Sequence, residues 1–245
     1  MKVALVTGAS RGLGAEIAKF LAKDGWKVAV NYAHDQNGAE AVVGAIAASG
    51  GGALAVNFDV TNAEAVTAGI AKVTEELGPI DLVVNNATGP QANFAIADQT
   101  WDHYQRHFEF FVKAPLLSLQ VLLPQWRARG TGRVINIGSE VVAIGNAYYA
   151  DYVSAKAAMV GLTRSWASEL GPEGITVNLI APGWIPVERH EGTPEEDYAR
   201  YTESVPLARM GKPSDIAAMV AFIASSAADY ITGQTISVNG GRTFS

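Results

Sequence analysis

Seven short apolar runs, at 2–7, 27–32, 53–58, 80–85, 132–138, 174–180 and 235–238, are separated for the most part by longer stretches of helical period. The helical patterns cover 12–24, 36–49, 62–77, 98–128 with a break, 151–171 and 213–224. Runs this short and this continuously apolar read as strands buried on both faces. Strands of that kind pair in parallel, which requires a crossover between each and the next. The alternation predicts an α/β fold, a doubly wound parallel sheet of about seven strands with helices on both faces. The 245 residues suit one domain, and no internal repeat, low-complexity tract or Pro/Ser-rich linker divides them, so 1–245 reads as a single unit.

The first strand runs straight into Thr7-Gly8-Ala9-Ser10-Arg11-Gly12-Leu13-Gly14, which opens the first helix. Glycines there allow a tight turn and a close backbone approach, and the helix start offers free N–H groups and a positive dipole to a phosphate. Placed after strand one, the motif carries the context of a Rossmann-type dinucleotide site. An acid at the end of the second strand would bond the ribose hydroxyls of NAD. That position is Tyr32, while Arg11 and His34 can face a 2′-phosphate. Asp35 argues the other way. The balance favours NADP(H), with NAD(H) as the alternative.

A second constellation is a hydroxyl, a phenol and an ammonium. Ser139 follows the run Arg133–Gly138, and Tyr152 and Lys156 lie four apart on one helix face. The three can meet one carbonyl oxygen. A lysine beside a tyrosine is expected to favour the phenolate and lower its pKa, which would let it move a proton near neutrality. Taken singly, each is an ordinary residue; the frame around them makes them candidates.

Together these features resemble the short-chain dehydrogenase/reductase family over nearly the whole chain, with its 3-oxoacyl-(acyl-carrier-protein) reductases nearest. The glycine loop resembles TGxxxGxG. Asp59-Val60 resembles the pair whose aspartate contacts adenine, and Asn85-Asn86-Ala87 resembles the start of NNAG. Ser139 with Tyr152 and Lys156 resembles the serine and YxxxK, and Asn178–Gly183 resembles the segment beneath the nicotinamide. The resemblance implies hydride transfer between NADP(H) and a carbonyl or alcohol, with Tyr152 as acid/base, Ser139 holding the substrate oxygen and Lys156 tuning the phenol and bonding the nicotinamide ribose. It places the cofactor on Gly8, Ser10, Arg11, Gly12, Leu13, Gly14, Tyr32, His34, Asp59, Val60, Asn86, Ala87, Tyr152, Lys156, Pro182, Gly183 and Ile185. It implies a homotetramer or homodimer, paired through the 98–128 and 151–171 helices, with the tail Thr243-Phe244-Ser245 against a neighbour.

Three positions depart from the family pattern. Phe111 stands where the family has an asparagine that holds a water relaying protons to the lysine, and a phenyl ring cannot hydrogen-bond in that way. His107, Glu109 and Glu140 are nearby in sequence as substitutes. Thr88 replaces the NNAG glycine, with Gly89 expected to do the turning. Val187 replaces a threonine that bonds the nicotinamide carboxamide. These changes support a second reading: an NADP(H)-binding protein with little or no redox activity, serving as a sensor or partner subunit. The substrate pocket is expected from Gln91, Phe94, Glu140, Val141, Val142, Tyr148, Tyr149 and Trp184, apolar with a few polar points. A polar excursion at about 184–211, with a helix starting at Thr193-Pro194-Glu195-Glu196, reads as a substrate lid.

The bulk figures exclude other classes. A net charge of −6 without a basic run argues against nucleic acid, and the absence of cysteine removes disulfides, thiol nucleophiles and cysteine metal sites; no metal site is expected. No secretory signal or membrane span is read in the chain, so the expected compartment is the cytoplasm and the expected partner a small molecule.

Overall fold

The computed structural model describes residues 1–244; Ser245, the last residue of the tail expected to meet a neighbour, lies outside them. Strands β1 (Val3–Val6), β2 (Lys27–Tyr32), β3 (Ala53–Asn57), β4 (Ile80–Asn85), β5 (Gly132–Ile137), β6 (Ile175–Pro182) and β7 (Thr235–Val238) form one parallel sheet in the order β3-β2-β1-β4-β5-β6-β7. Each predicted run is a strand. The order reverses at β1/β4, which opens a crevice at the C-terminal strand ends.

The helices are α1 (Gly12–Lys23), α2 (Gln36–Ala48), α3 (Ala63–Leu77), α4 (Trp101–Phe108), α5 (Ala114–Arg129), the single turn α6 (Val141–Ile144), α7 (Ala150–Leu170), α8 (Glu195–Glu203) and α9 (Pro213–Ala224). Alternate residues of β1 feed opposite layers, as the pleat requires. Ala4 and Val6 pack with α1, α2 and α9; Val3 and Leu5 pack with α3, α5 and α7. Among the described residues no helix is long and apolar enough to cross a membrane.

The spacing of Thr61-Asn62-Ala63-Glu64 predicts a capping box from Thr61, and Thr193-Pro194-Glu195-Glu196 predicts a cap at Thr193; both caps move by a residue. Asn62, not Thr61, caps α3 by accepting from the Ala65 N–H at 2.9 Å, while Thr61 turns back to Asp59. Pro194 is the cap residue of α8 rather than its first helical residue, since its ψ of 140° is extended.

The break expected within 98–128 is a π turn, Glu109–Lys113, between α4 and α5. Its cause is legible in the sequence. Pro115 has no N–H, so the Phe111 carbonyl loses its α-helical donor and the register slips by a residue. The slip sets Phe111, 1% exposed, against α7.

Candidate active site

The crevice is built first by the glycine loop. Gly8 and Gly12 have φ of 61° and 57°, the left-handed region that favours glycine. A Cβ on Gly8 would lie 2.8 Å from the Ala87 Cα, so this loop and the end of β4 touch backbone to backbone. Thr7 and Asn86 stitch them: Thr7 Oγ accepts from the Asn86 and Ala87 N–H groups at 2.9 and 3.0 Å, and Asn86 Nδ2 donates to the Thr7 and Gly8 carbonyls. Buried Asn31 on β2 accepts from the Gly8 N–H at 3.1 Å and donates to the Phe58 carbonyl at 3.0 Å. Asn31 was not singled out from sequence; a polar residue inside an otherwise apolar strand was the available signal.

The start of α1 is shaped for an anion. Side chains cap α2 and α3, but Arg11 provides no such bond at α1, and no acid lies in its first turn. A carboxylate from across the chain takes the place instead: the Gly12 N–H donates to Glu188 Oε1 at 3.3 Å. Beside it Gly12, Glu16, Lys19, Val187, Glu188 and Tyr198 line part of a cleft of about 500 Å³. Arg11 and His34 are exposed at the same rim and Tyr32 is half-buried. Asp35 is committed elsewhere, capping α2 by accepting from the Gly38 N–H at 3.0 Å. Asp59 is exposed and accepts from Thr61; Val60 is buried. Ser10 and Leu13 line the turn half-buried, Pro182 ends β6, Gly183 follows it, and Ile185 is buried.

The second part of the site is the buried stripe of α7. Asp151, Tyr152, Ala155, Lys156, Met159, Thr163, Ala167 and Leu170 recur at helical spacing, and half of the stripe is polar. Asp151, Lys156 and Thr163 each have a partner, as burial demands. Thr163 accepts from Asn136 on β5, which accepts in turn from Asn85 on β4, so a buried side-chain ladder fixes α7 to the sheet. Asp151 accepts from the Tyr152 N–H at 2.9 Å and faces His107 at 3.5 Å. Lys156 Nζ donates to the Ile137 carbonyl at 2.6 Å, at the end of β5 and two residues before Ser139.

Phe111 completes this arrangement. The Lys156 ammonium rests 3.7 Å from the centre of its ring, and the ring meets Tyr152 edge-on at 5.5 Å. In the position of a hydrogen-bonding amide the chain has a π face, which can hold a desolvated cation electrostatically. His107 stacks on the same ring and is 3% exposed, so it is part of the buried site, with burial holding its pKa below the ordinary value. Glu109 is half-buried.

The electrostatics reverse one expectation. Burial raises the Tyr152 phenol above its usual pKa, against opposing effects from the positive field of Arg189 and from the nearby polar groups of Ser139 and Gln91. Lys156 is the group brought down, to about 7, by burial and then by Arg189. The spacing of Tyr152 and Lys156 predicted a lowered phenol because spacing carries no information on desolvation.

The expected pocket residues divide. Val141 and Tyr149 pack on the Phe111–Tyr152 cluster. Gln91 donates to Thr88 Oγ at 3.1 Å, and Phe94 stacks on His103 with its N–H held by the Tyr148 carbonyl. Trp184 lies against Tyr198 at 5.0 Å and Tyr201 at 5.4 Å. Val142 is half-buried and Tyr148 is exposed. Glu140 departs from the expectation: it is 4% exposed and bound by Arg242 and Tyr201, so it is neither an open pocket group nor a relay beside Lys156. Gly89 is also used differently. It does not turn the chain through positive φ; a Cβ there would meet the Phe110 ring at 2.7 Å.

Comparisons with known proteins bear on the family and the fold. A family model described as Enoyl-(Acyl carrier protein) reductase matches residues 8–243. The 3-oxoacyl-(acyl-carrier-protein) reductase FabG of Staphylococcus aureus is 44% identical over 242 residues, spanning 98% of this chain and 97% of its own. That of Vibrio cholerae is 41% identical over 243 residues, spanning 98% and 96%. Among solved structures, an Agrobacterium tumefaciens protein assigned as a gluconate dehydrogenase superposes with a TM-score of 0.93 at 32% identity, covering 98% of this chain and 95% of that one. A blue fluorescent protein from a metagenomic library, in complex with NADPH, superposes with a TM-score of 0.89 at 35% identity, covering 99% and 98%.

Proposed function

This chain belongs to the short-chain dehydrogenase/reductase family, and from that premise we propose that it is an NADP(H)-dependent reductase of a small-molecule carbonyl, a 3-oxoacyl thioester or other ketone. One observation carries the reading: Tyr152 and Lys156 lie on the buried stripe of α7, Lys156 is bonded to the end of β5, and Ser139 follows that strand end by two residues, near enough to Tyr152 to act on its phenol. NADP(H) suits the rim, where Arg11 and His34 are exposed and Asp35 is spent on a cap. The glycine loop from Gly8 to Gly14 would hold the phosphates, with Asp59, Val60, Asn86 and Ala87 toward the adenine side and Pro182, Gly183 and Ile185 toward the nicotinamide.

When bound, the cofactor supplies the hydride. The chain supplies position and a proton. Ser139 Oγ and the Tyr152 hydroxyl hold the substrate oxygen, and the charge that develops there is met by fixed donors. Because burial keeps the phenol protonated, Tyr152 stands at neutral pH in the form that reduction needs, ready to give its proton. Lys156, half-charged near pH 7, stabilises the phenolate left behind.

Purified protein is expected to consume NADPH in preference to NADH with at least one member of a panel of 3-oxoacyl thioesters and small ketones, at a kcat of about 1–10³ s⁻¹. A second reading rests on Phe111: its ring fills the place of the relay asparagine, which suits a cofactor-binding sensor or partner subunit. Tight NADPH binding with no turnover across the panel would favour that reading and sink the first.

Glu188 makes a further expectation concrete. Its carboxylate sits at the uncapped start of α1, where the cofactor's phosphates would bind. A charge there is worth roughly 0.3–1 kcal/mol. Glu188→Gln is therefore expected to tighten NADPH binding by about twofold to fivefold, read by fluorescence titration. An unchanged or weakened Kd would show that the carboxylate does not compete.

A further inference from the structure

Directly after Ser139, the buried carboxylate of Glu140 joins three parts of the chain that are remote in sequence. Its Oε1 accepts from the Tyr201 hydroxyl of α8 at 2.8 Å and from Arg242 Nη1 of the C-terminal tail at 2.7 Å. Its own N–H donates to the Pro182 carbonyl at 3.0 Å, which ties it to the end of β6. The Tyr201 hydroxyl in turn accepts from the Trp184 N–H at 2.6 Å. Gly183 makes this meeting point possible, because a Cβ there would lie 2.5 Å from the same hydroxyl. Arg242 closes the far side, with its guanidinium carbon 4.4 Å from the centre of the Tyr201 ring and its Nε bonded to Ser204 at 2.9 Å.

The tail reinforces the end of the excursion. Leu207 N–H donates to the Gly240 carbonyl at 3.1 Å, and a Cβ on Gly240 would lie 2.5 Å from Val205. Each end of the polar excursion is thus fastened: Trp184 through Tyr201, and Ser204 to Leu207 through the tail. Glu140 is the group common to both and to the turn carrying Ser139. Burial raises the Tyr201 hydroxyl to about 12, so it stays a donor to Glu140 across the working pH range.

We propose that Glu140 is a positioning residue that latches the α8 excursion and the C-terminal tail onto the turn carrying Ser139, so that closure over the substrate and placement of the serine are one event. The inference rests on the proposed carbonyl reductase. A buried charge that loses one of its partners is strongly destabilised, so breaking either arm is expected to loosen the excursion. Closure of this kind governs substrate capture more than cofactor hold.

The test compares Tyr201→Phe, which removes one hydroxyl and no packing, with Arg242→Met and with the conservative Arg242→Lys. Hydrogen exchange in the intact protein is expected to quicken by about tenfold or more at 195–204 and 239–244 in Tyr201→Phe and Arg242→Met, with β1 and β4 unchanged. Substrate KM is expected to rise about fivefold to twentyfold in both with NADPH Kd unchanged, and Arg242→Lys to recover most of it. Unaltered exchange in both segments, or a fall in Tm with KM unmoved, overturns the latch. Exchange is read without turnover, so the two ideas fail separately. Faster exchange in a protein inactive on every ketone keeps the latch and removes the reductase. Full turnover with exchange unmoved does the reverse.

Discussion

Tyr152→Phe is expected to lower kcat by about 10²–10⁴ while leaving the NADPH Kd and Tm near those of the parent chain. The phenol is the proton donor nearest the proposed substrate oxygen, and its ring is held independently of its hydroxyl. Tyr152 is buried to 9% exposure and packs against Phe111 and His107 at 5.5 Å and Tyr149 at 6.3 Å. A phenylalanine keeps all of these contacts. What is lost is the hydroxyl, whose pKa feels Ser139 and Gln91. Ser139 and Gln91 keep bonds of their own, to the Val141 N–H and to Thr88, so the change leaves them partnered and is close to neutral for stability. Initial rates with NADPH, beside calorimetry on the same sample, check both halves. Turnover kept within tenfold of the parent would remove Tyr152 as the proton donor, whatever the substrate.

Lys156→Met is expected to stabilise the fold at pH 6 to 7 while abolishing turnover. Lys156 is 5% exposed, and burial, with the field of Arg189, brings its pKa from 10.5 to about 7. The sign follows from proton counting. Below about pH 7 both folded and unfolded chains carry the charge, and the fold bears the full cost of burying it. Between about 7 and 10.5 the unfolded chain binds a proton that the folded chain does not, so stability rises with pH, by at most about 1.4 kcal/mol per unit. Above pH 10 the raised phenols, Tyr152 and Tyr201, act oppositely, since the folded chain then holds protons the unfolded one has released.

Methionine fills most of the lysine's volume and can lie on the Phe111 ring, at the cost of the bond to the Ile137 carbonyl. The net gain near pH 6 is about 1–3 kcal/mol, shrinking toward pH 9, because replacing a buried charge by an apolar isostere is often stabilising. Phe111→Leu is the companion variant: losing a π face worth about 2 kcal/mol makes the buried ammonium costlier and lowers stability most on the acid side. Thermal melts from pH 6 to 9 decide. A Lys156→Met protein less stable than the parent at pH 6 would show that the ammonium is not under strain.

Much of the fold was legible because its signals are local. All seven strands lie where apolar runs stood, the glycine loop joins β1 to α1, and the break within 98–128 sits beside Pro115. The spacing of Tyr152 and Lys156 placed both on the buried stripe of one helix. Other elements resisted for identifiable reasons. Asn62 and Thr61 are equally good caps in isolation, and the choice fell to Asn62 once Asp59 engaged Thr61. His107 and Glu140 read as relay substitutes and Glu140 also as pocket lining; each is buried because a partner from another element arrives, Asp151 for one and Arg242 for the other.

Period and spacing along the chain were therefore enough to establish a parallel sheet, a glycine turn from β1 into α1, and a tyrosine and lysine on one buried helix face. These depend on the pleat, the helical repeat and the conformational freedom of glycine, all properties of neighbouring residues. Folding in three dimensions settled how these groups are buried and paired. It put Lys156 on the face of Phe111, raised the phenol that spacing alone would have lowered, and brought Arg242 across 102 residues and Tyr201 across 61 to the carboxylate beside Ser139. Desolvation and long-range pairing depend on which surfaces meet, and no window of sequence contains both surfaces.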